Sequence, residues 1–378
     1  MGLNQVKLQD LIFLGVFFLI VSMGITLPFL GVNDLPSFEN RRLAKLPSPG
    51  SIIRLLDLPQ EFDKYFADHF ILRNRLIHIL YTVRLHFLKE TVFPSVVVGE
   101  NGWLYYTDEG VMEDYQHTRS FSEEQLAKIW QNLDTLHRQL ESDGITLVTA
   151  IAPNKETIYP EYVPKNISRL GEMSRLDQLM NYMHERGESR LWDLSPSLLA
   201  AKENDQVYYR TDTHWNSFGA YTAYYQIMEQ CLSDIRVQER FPEVRLISRE
   251  EYKTVPSKWY GDLANFLTMS GILVEQTNQL EPNFITRSMV ISKDSPNSME
   301  MTSEIPDPQL PRAILFHDSF GLNVIPFLTE NFSHLTNRWA PYNEVRPVPL
   351  IDRDVIETER PNIVILIITE RYLQFLLW

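Results

Sequence analysis

Three short runs constrain the fold of this chain most. "ITLVTAIAP" (145–153), "RAILF" (312–316) and "PNIVILIITE" (361–370) are nearly unbroken stretches of Val, Ile, Leu and Ala. A strand wetted on one side alternates apolar with polar residues; a strand without that alternation is covered on both faces. Helical patterns separate the runs. Ser122 and Gln125 form a capping box, and Leu126, Ile129, Leu133, Leu136 and Leu140 follow at helical spacing up to Gly144. Further helices are expected over 173–187, about 217–233 and near 321–331, with a short apolar "RLWDL" at 190–194. This order predicts an α/β fold with a largely parallel sheet. Residues 95–107 read as a hairpin turning at Glu100-Asn101-Gly102. Residues from about 240 to 310 lack the rhythm and are expected to be a loop-rich insertion.

The N-terminus sets the compartment. Residues 11–31, "LIFLGVFFLIVSMGITLPFLG", carry no charge, and about 20 apolar residues suffice to cross a bilayer. Lys7 precedes the run, although Asp10 dilutes the charge bias. A cleaved signal peptide is the competing reading, but the run is long for one and "GITLPFLG" offers no small-x-small cleavage site. The expected organisation is a cytoplasmic tail (1–10), a transmembrane anchor (11–31), an exported linker and helical region (32–94) and a globular domain (95–378). Phe62, Phe66, Phe70, Leu76 and Leu80 mark an apolar helical face in the third part. A formal charge of −14 argues against a duplex nucleic-acid partner. Cys231 is the sole cysteine, so neither an intrachain disulfide nor a cysteine-built zinc site can form. The histidines show no metal-binding spacing, no Gly-rich phosphate loop is present, and no metal is expected.

Asp212 and His214 stand two apart in "YYRTDTHWNSFGAY" (208–221). On an extended segment such residues share a face, so the carboxylate can reach the imidazole and fix its tautomer. Alone, the pair reads equally as a structural hydrogen bond or as part of a catalytic site. "AILFHDSFGLN" (313–323) supplies a partner: a buried strand ends, Ser319 follows, and Gly321 opens a helix. That context presents a hydroxyl at the C-terminal edge of a sheet, beside backbone N–H groups able to face an oxyanion. By itself Ser319 would read as a helix cap. With Asp212 and His214 it completes a nucleophile, base and orienting acid.

Asn154 and Lys155 follow one strand end and Arg371 follows another, while Trp215 and Asn216 adjoin His214. These five are candidates for oxyanion or substrate contact. A turn, a helix cap at Asn216 and an ion pair between Glu370 and Arg371 are the structural alternatives. Asp262 in "GDLA" lacks a serine beside it and is not read as a nucleophile motif.

Ordered segments carry a resemblance across most of the chain: "FENRRLAKLP" (38–47), "FADHFILRNRLI" (66–77), "VVVGENGWLYY" (96–106), "APNKETIYPEYVP" (152–164), "YYRTDTHWNSFGAY", "GDLANFL" (261–267), "FHDSFG" (316–321) and "RPNIVILIITERYL" (360–373). With these the sequence resembles the SGNH-hydrolase-like proteins of the alginate O-acetyltransferase group, the AlgX, AlgJ and DHHW relatives. The resemblance implies a three-layer α/β fold in which Asp212 orients, His214 is the base and Ser319 the nucleophile. D-x-H ahead of the serine resembles the circularly permuted order of the AlgX type. His317 stands where many relatives carry Gly, and is read as a side chain on the strand rim. The implied activity moves an acetyl group through a serine-linked intermediate to hydroxyls of an exopolysaccharide or cell-envelope glycan. The implied setting is the bacterial inner membrane, with a single pass through 11–31 and the catalytic domain periplasmic or extracellular. A multipass acyltransferase of the MBOAT type is the implied partner; no cofactor is bound, and the acetyl donor is supplied indirectly because acetyl-CoA is cytoplasmic. A carbohydrate esterase or deacetylase with the same triad, and a non-catalytic glycan-binding assembly protein, are the alternatives.

Overall fold

A computed structural model describes residues 8–30, 43–47, 57–70, 72–187, 190–293, 300–342 and 348–378. The chain divides into two compact units, Met1–Phe93 with Ala264–Ile272, and Pro94–Leu263 with Leu273–Trp378.

The first unit holds helices Leu8–Phe29, Leu58–His69 and Arg73–His86. His78 Nδ1 donates to the Thr268 carbonyl at 2.8 Å, tying the 264–272 segment to the third helix. The anchor expected over 11–31 falls on the first helix, but residue 31 and the side chains of 20, 21 and 24–29 lie outside the described residues. Among the described residues no helix is long and apolar enough to cross a membrane. Most of the linker expected over 32–56 also lies outside them. Phe62, Phe66, Leu76 and Leu80 are exposed rather than packed.

The second unit is built on a seven-stranded sheet of β1 (Thr146–Ala152), β2 (Leu191–Asp193), β3 (Met289–Lys293), β4 (Met301–Glu304), β5 (Arg312–His317), β6 (His334–Trp339) and β7 (Ile363–Thr369). Their spatial order is β2-β1-β7-β5-β6-β4-β3. The first five run parallel, and β4 and β3 close one edge antiparallel. The sheet is therefore mixed. Alternate residues of one strand enter two different cores: Val148, Leu315 and Ile365 pack on one side, and Leu147, Ile314 and Val364 on the other. That two-sided burial is the physical reason these strands lack polar alternation.

Helices α1 (Glu123–Ser142) and α2 (Arg175–Glu185) cover one face, and α3 (Ser217–Ser233) and α4 (Gly321–Leu328) the other, giving an SGNH-like three-layer unit. The Ser122–Gln125 capping box starts α1, and Gly144 leaves it with φ +73°. The expected hairpin forms from Val96–Val98 and Leu104–Tyr106, with Asn101 and Gly102 both at positive φ.

The expectation of a loop-rich 240–310 is corrected. Tyr252–Tyr260 and Val274–Pro282 pair over nine residues as an antiparallel ribbon, and β3 and β4 extend the main sheet. The ribbon buries Glu275 and rests Trp259 on Tyr209, rings 4.3 Å apart, so no apolar alternation marks it.

Candidate active site

In sheet order β1, β7 and β5 are neighbours, and their C-terminal ends deliver Asn154-Lys155, Glu370-Arg371 and Asp318-Ser319 to one edge. Parallel α/β sheets bind ligands at this edge. The Asp212–His214 segment reaches it as the tip of a tight loop, closed by a bridge between Tyr208 and Trp215 and by Tyr209 N donating to the His214 carbonyl. Tyr208 Oη donates to Pro153 O at 2.6 Å, fixing the loop's base above β1.

Asp212 is buried and saturated by four donors. Oδ1 accepts His214 Nδ1 at 2.7 Å and the His214 amide at 2.9 Å. Oδ2 accepts Trp259 Nε1 at 2.8 Å and the Asp262 amide at 3.0 Å. Burial alone would raise its pKa; the hydrogen bond and charge of His214, with the indole donor, hold it well below the usual carboxylate range. For His214 burial favours the neutral ring, but the Asp212 hydrogen bond and charge outweigh it and raise the pKa. Because Nδ1–H points at Asp212, the lone pair of the neutral ring sits on Nε2, which is buried and has no hydrogen-bond partner among the described residues.

Ser319 lies on the turn into α4, half-buried and without a hydrogen bond among the described residues. Its turn is pinned from both sides. Asp318 accepts Phe320 N at 2.9 Å, and from the end of β7 it accepts Thr369 N at 2.7 Å and Thr369 Oγ1 at 2.6 Å. Trp215 Nε1 donates to Phe320 O at 3.1 Å, and Asn323 Nδ2 returns a bond to Trp215 O. The Phe320 ring stands 4.9 Å from the imidazole of His214. The residue after the serine thus packs on the histidine. Gly321 is needed here, since a Cβ would fall 2.3 Å from His317 Cβ.

The remaining candidates separate. Asn216 caps α3 by accepting Phe218 N and Gly219 N at Oδ1, and its Nδ2 donates to Gln206 O, so its side chain is held in a capping role. The indole N–H of Trp215 is likewise engaged, on the serine turn. Lys155 is buried with Nζ on the carbonyls of Tyr209, Arg210 and Asp212, and burial lowers its pKa to about 8. The Asn154 backbone N–H donates to Glu370 Oε2 at 2.9 Å, while its Oδ1 is buried and has no partner among the described residues. Arg371 pairs with Glu109 at 2.9 Å and lies 5.4 Å from the Phe320 ring. His317 is fully buried, bonded to Asp318 O and Asn337, and burial lowers its pKa. It is a structural side chain.

Reading the sequence missed Trp259, Asp262, Glu275 and Asp318. Asp262 accepts Thr213 N at 2.7 Å and stands 3.6 Å from His214 Nδ1. The available signal was Gly261-Asp262: a Cβ at 261 would lie 1.9 Å from Thr211 O, so only glycine lets the chain approach the loop. The ligand atoms of Asp212, His214 and Asp262 lie within 4.8 Å of one another. A cation there would have to displace the donors that already saturate Asp212.

The chain matches the family model described as "SGNH hydrolase-like domain, acetyltransferase AlgX" over residues 96–333. It is 31% identical over 186 residues to a protein named "Probable alginate O-acetylase AlgJ" from Pseudomonas aeruginosa, covering 48% of this chain and 43% of that one. The protein of the same name from Pseudomonas putida is 29% identical over 293 residues, 74% of this chain and 70% of that one. The chain thus spans less than half the length of the first of these relatives. Among solved structures, PatB1 of Bacillus cereus superposes with a TM-score of 0.51 at 16% identity, over 74% of this chain and 96% of that one, a likeness of fold. With more than half of its length matched by the family model, the chain belongs to the AlgX-type SGNH hydrolase-like acetyltransferase family.

Proposed function

We propose that this chain is a serine-dependent O-acetyltransferase that acts on hydroxyls of an exopolysaccharide or cell-envelope glycan. The observation that carries the reading is the His214 imidazole, tied at Nδ1 to a saturated Asp212 and presenting an unpartnered, buried Nε2 beside the Ser319 turn. In the first step Nε2 takes the Ser319 proton as Oγ attacks the acetyl carbonyl, and the leaving group of the donor departs with that proton. In the second, Nε2 removes the proton of a sugar hydroxyl, which attacks the acetyl-serine; Ser319 leaves and recovers its proton from the imidazolium. Asp212 stays ionised throughout and stabilises the imidazolium. The Ser319 amide has no acceptor among the described residues and is the donor we assign to the oxyanion.

The names of the two Pseudomonas relatives support acetyl transfer in a polysaccharide context. We further propose a single-pass anchor through 11–31, a catalytic domain in the periplasm or outside the cell, and the permuted order with D-x-H ahead of the serine. The acetyl donor then comes indirectly, from a multipass MBOAT-type partner, with no cofactor held by this chain. The test is the full chain with an activated acetyl ester, with and without glycan oligomers. Acetylated oligosaccharide that disappears in Ser319→Ala supports transfer. Ester hydrolysis indifferent to glycan points to an esterase, and glycan binding without turnover to an assembly protein.

A further inference from the structure

The backbone of residues 209–212 does not satisfy itself. Three of its carbonyls, those of Tyr209, Arg210 and Asp212, converge on Lys155 Nζ at 3.2, 3.2 and 2.6 Å. Its amides turn the other way: Arg210 N and Thr211 N donate to Glu275 Oε2 at 2.8 and 3.2 Å, and Thr211 Oγ1 adds a third bond at 3.2 Å. Both charged side chains are about 2% exposed. They come from separate elements, Lys155 from the end of β1 and Glu275 from the ribbon.

Three carbonyl dipoles aimed at one point repel each other unless a cation sits there, and buried amides without an acceptor are equally unfavourable. The loop is therefore held by a cation on one side and an anion on the other, beside the Leu104 amide on Arg210 O at 2.8 Å and the Tyr209 amide on His214 O at 3.2 Å. That conformation aims Asp212 and, two residues on, His214. We propose that Lys155 and Glu275 act together as a charged clamp that positions the Asp212–His214 pair for acyl transfer, touching neither substrate nor the reacting atoms. The proposal rests on the triad reading above and adds two residues to it.

Among the described residues Lys155 has no carboxylate in direct contact. Trp103 and Tyr105 lie beneath its ammonium at 5.7 and 5.3 Å, and the charges that face it are Glu156, Asp262, Asp212 and Glu275. Burial holds its pKa at about 8, so the clamp loses its cation as pH rises through that region. An arginine in its place stays charged throughout the accessible range.

The experiment measures kcat and KM for ester-driven acetyl transfer by the full chain and by Ser319→Ala, Lys155→Met, Lys155→Arg, Glu275→Gln and the Lys155→Met/Glu275→Gln double variant. Each single clamp variant is expected to lose kcat by about 10- to 100-fold with KM little changed, as for a misplaced catalytic group. The double variant is expected to lose clearly less than the product of the two, because both hold one loop. Lys155→Arg is expected to lose the alkaline limb near pH 8 while retaining part of kcat. Multiplicative losses, or a Lys155→Met kcat within about threefold of the parent, would overturn the clamp. Should Lys155→Met not fold, a Lys155→Arg protein that keeps the parent's alkaline limb overturns it. Turnover surviving in Ser319→Ala defeats the triad reading instead, a separate and distinguishable failure.

Discussion

Trp259 donates its indole N–H to Asp212 Oδ2 at 2.8 Å, from a ribbon that joins the site more than forty residues after Asp212 in the chain. That bond occupies the carboxylate oxygen not turned to His214, and leaves Oδ1 to the imidazole. Replacing Trp259 with Phe keeps an aromatic ring against Tyr209 but deletes the donor. A hydrogen bond to a charged group contributes about 1.5–3 kcal/mol net. Trp259→Phe should lower kcat by roughly tenfold with KM unchanged, the size expected when that stabilisation of the carboxylate is lost. Steady-state kinetics on the folded variant check this.

The pH dependence follows from His214. Its folded pKa lies above the ordinary histidine value of about 6.5 because Asp212 outweighs burial. The proposed base works only when neutral, so activity should fall as pH drops through that raised value, with the acid limb centred above about 6.5. The same shift favours the folded state at low pH, and that stabilisation disappears as pH rises through the folded pKa. Asp212→Asn removes the charge that raises the pKa. Its acid limb should move down in pH, and kcat should fall by about 100-fold or more because the tautomer is no longer fixed. A pH–rate profile of both proteins measures the two effects together.

Gly261 brings the ribbon's exit against the loop, and a Cβ there would meet Thr211 O at 1.9 Å. Neither atom is the end of a flexible side chain, so Gly261→Ala must move backbone. The Asp262 amide then leaves Asp212, and the Thr213 amide loses Asp262 Oδ1. The variant should be less stable by about 1–3 kcal/mol, as for an overpacked core, and should lose activity at every pH. Denaturant unfolding beside kinetics separates the two losses.

Much of the fold was legible because β1, β5 and β7 are buried on both faces and write uninterrupted apolar runs. Ser319, His214 and Asp212 were legible as residue types at a strand end and on a short extended spacing. What surrounds them was not. The ribbon faces Asp212 with an indole and the 209–212 loop with a carboxylate, so its sequence alternates nothing apolar. Lys155 could be placed at a strand end, but only the geometry turns its ammonium to backbone carbonyls. Asn216 is the opposite case: its Asn-Ser-Phe-Gly context suits a cap as well as a donor, and the structure uses it as the cap.

The most direct measurement is mass spectrometry of the full chain quenched during turnover of an activated acetyl ester, followed by peptide mapping. One acetyl group on Ser319 of the parent chain, formed far more slowly in His214→Gln and absent from Ser319→Ala, is the predicted result. Turnover with no acetyl on Ser319, or undiminished turnover by Ser319→Ala, would contradict the account.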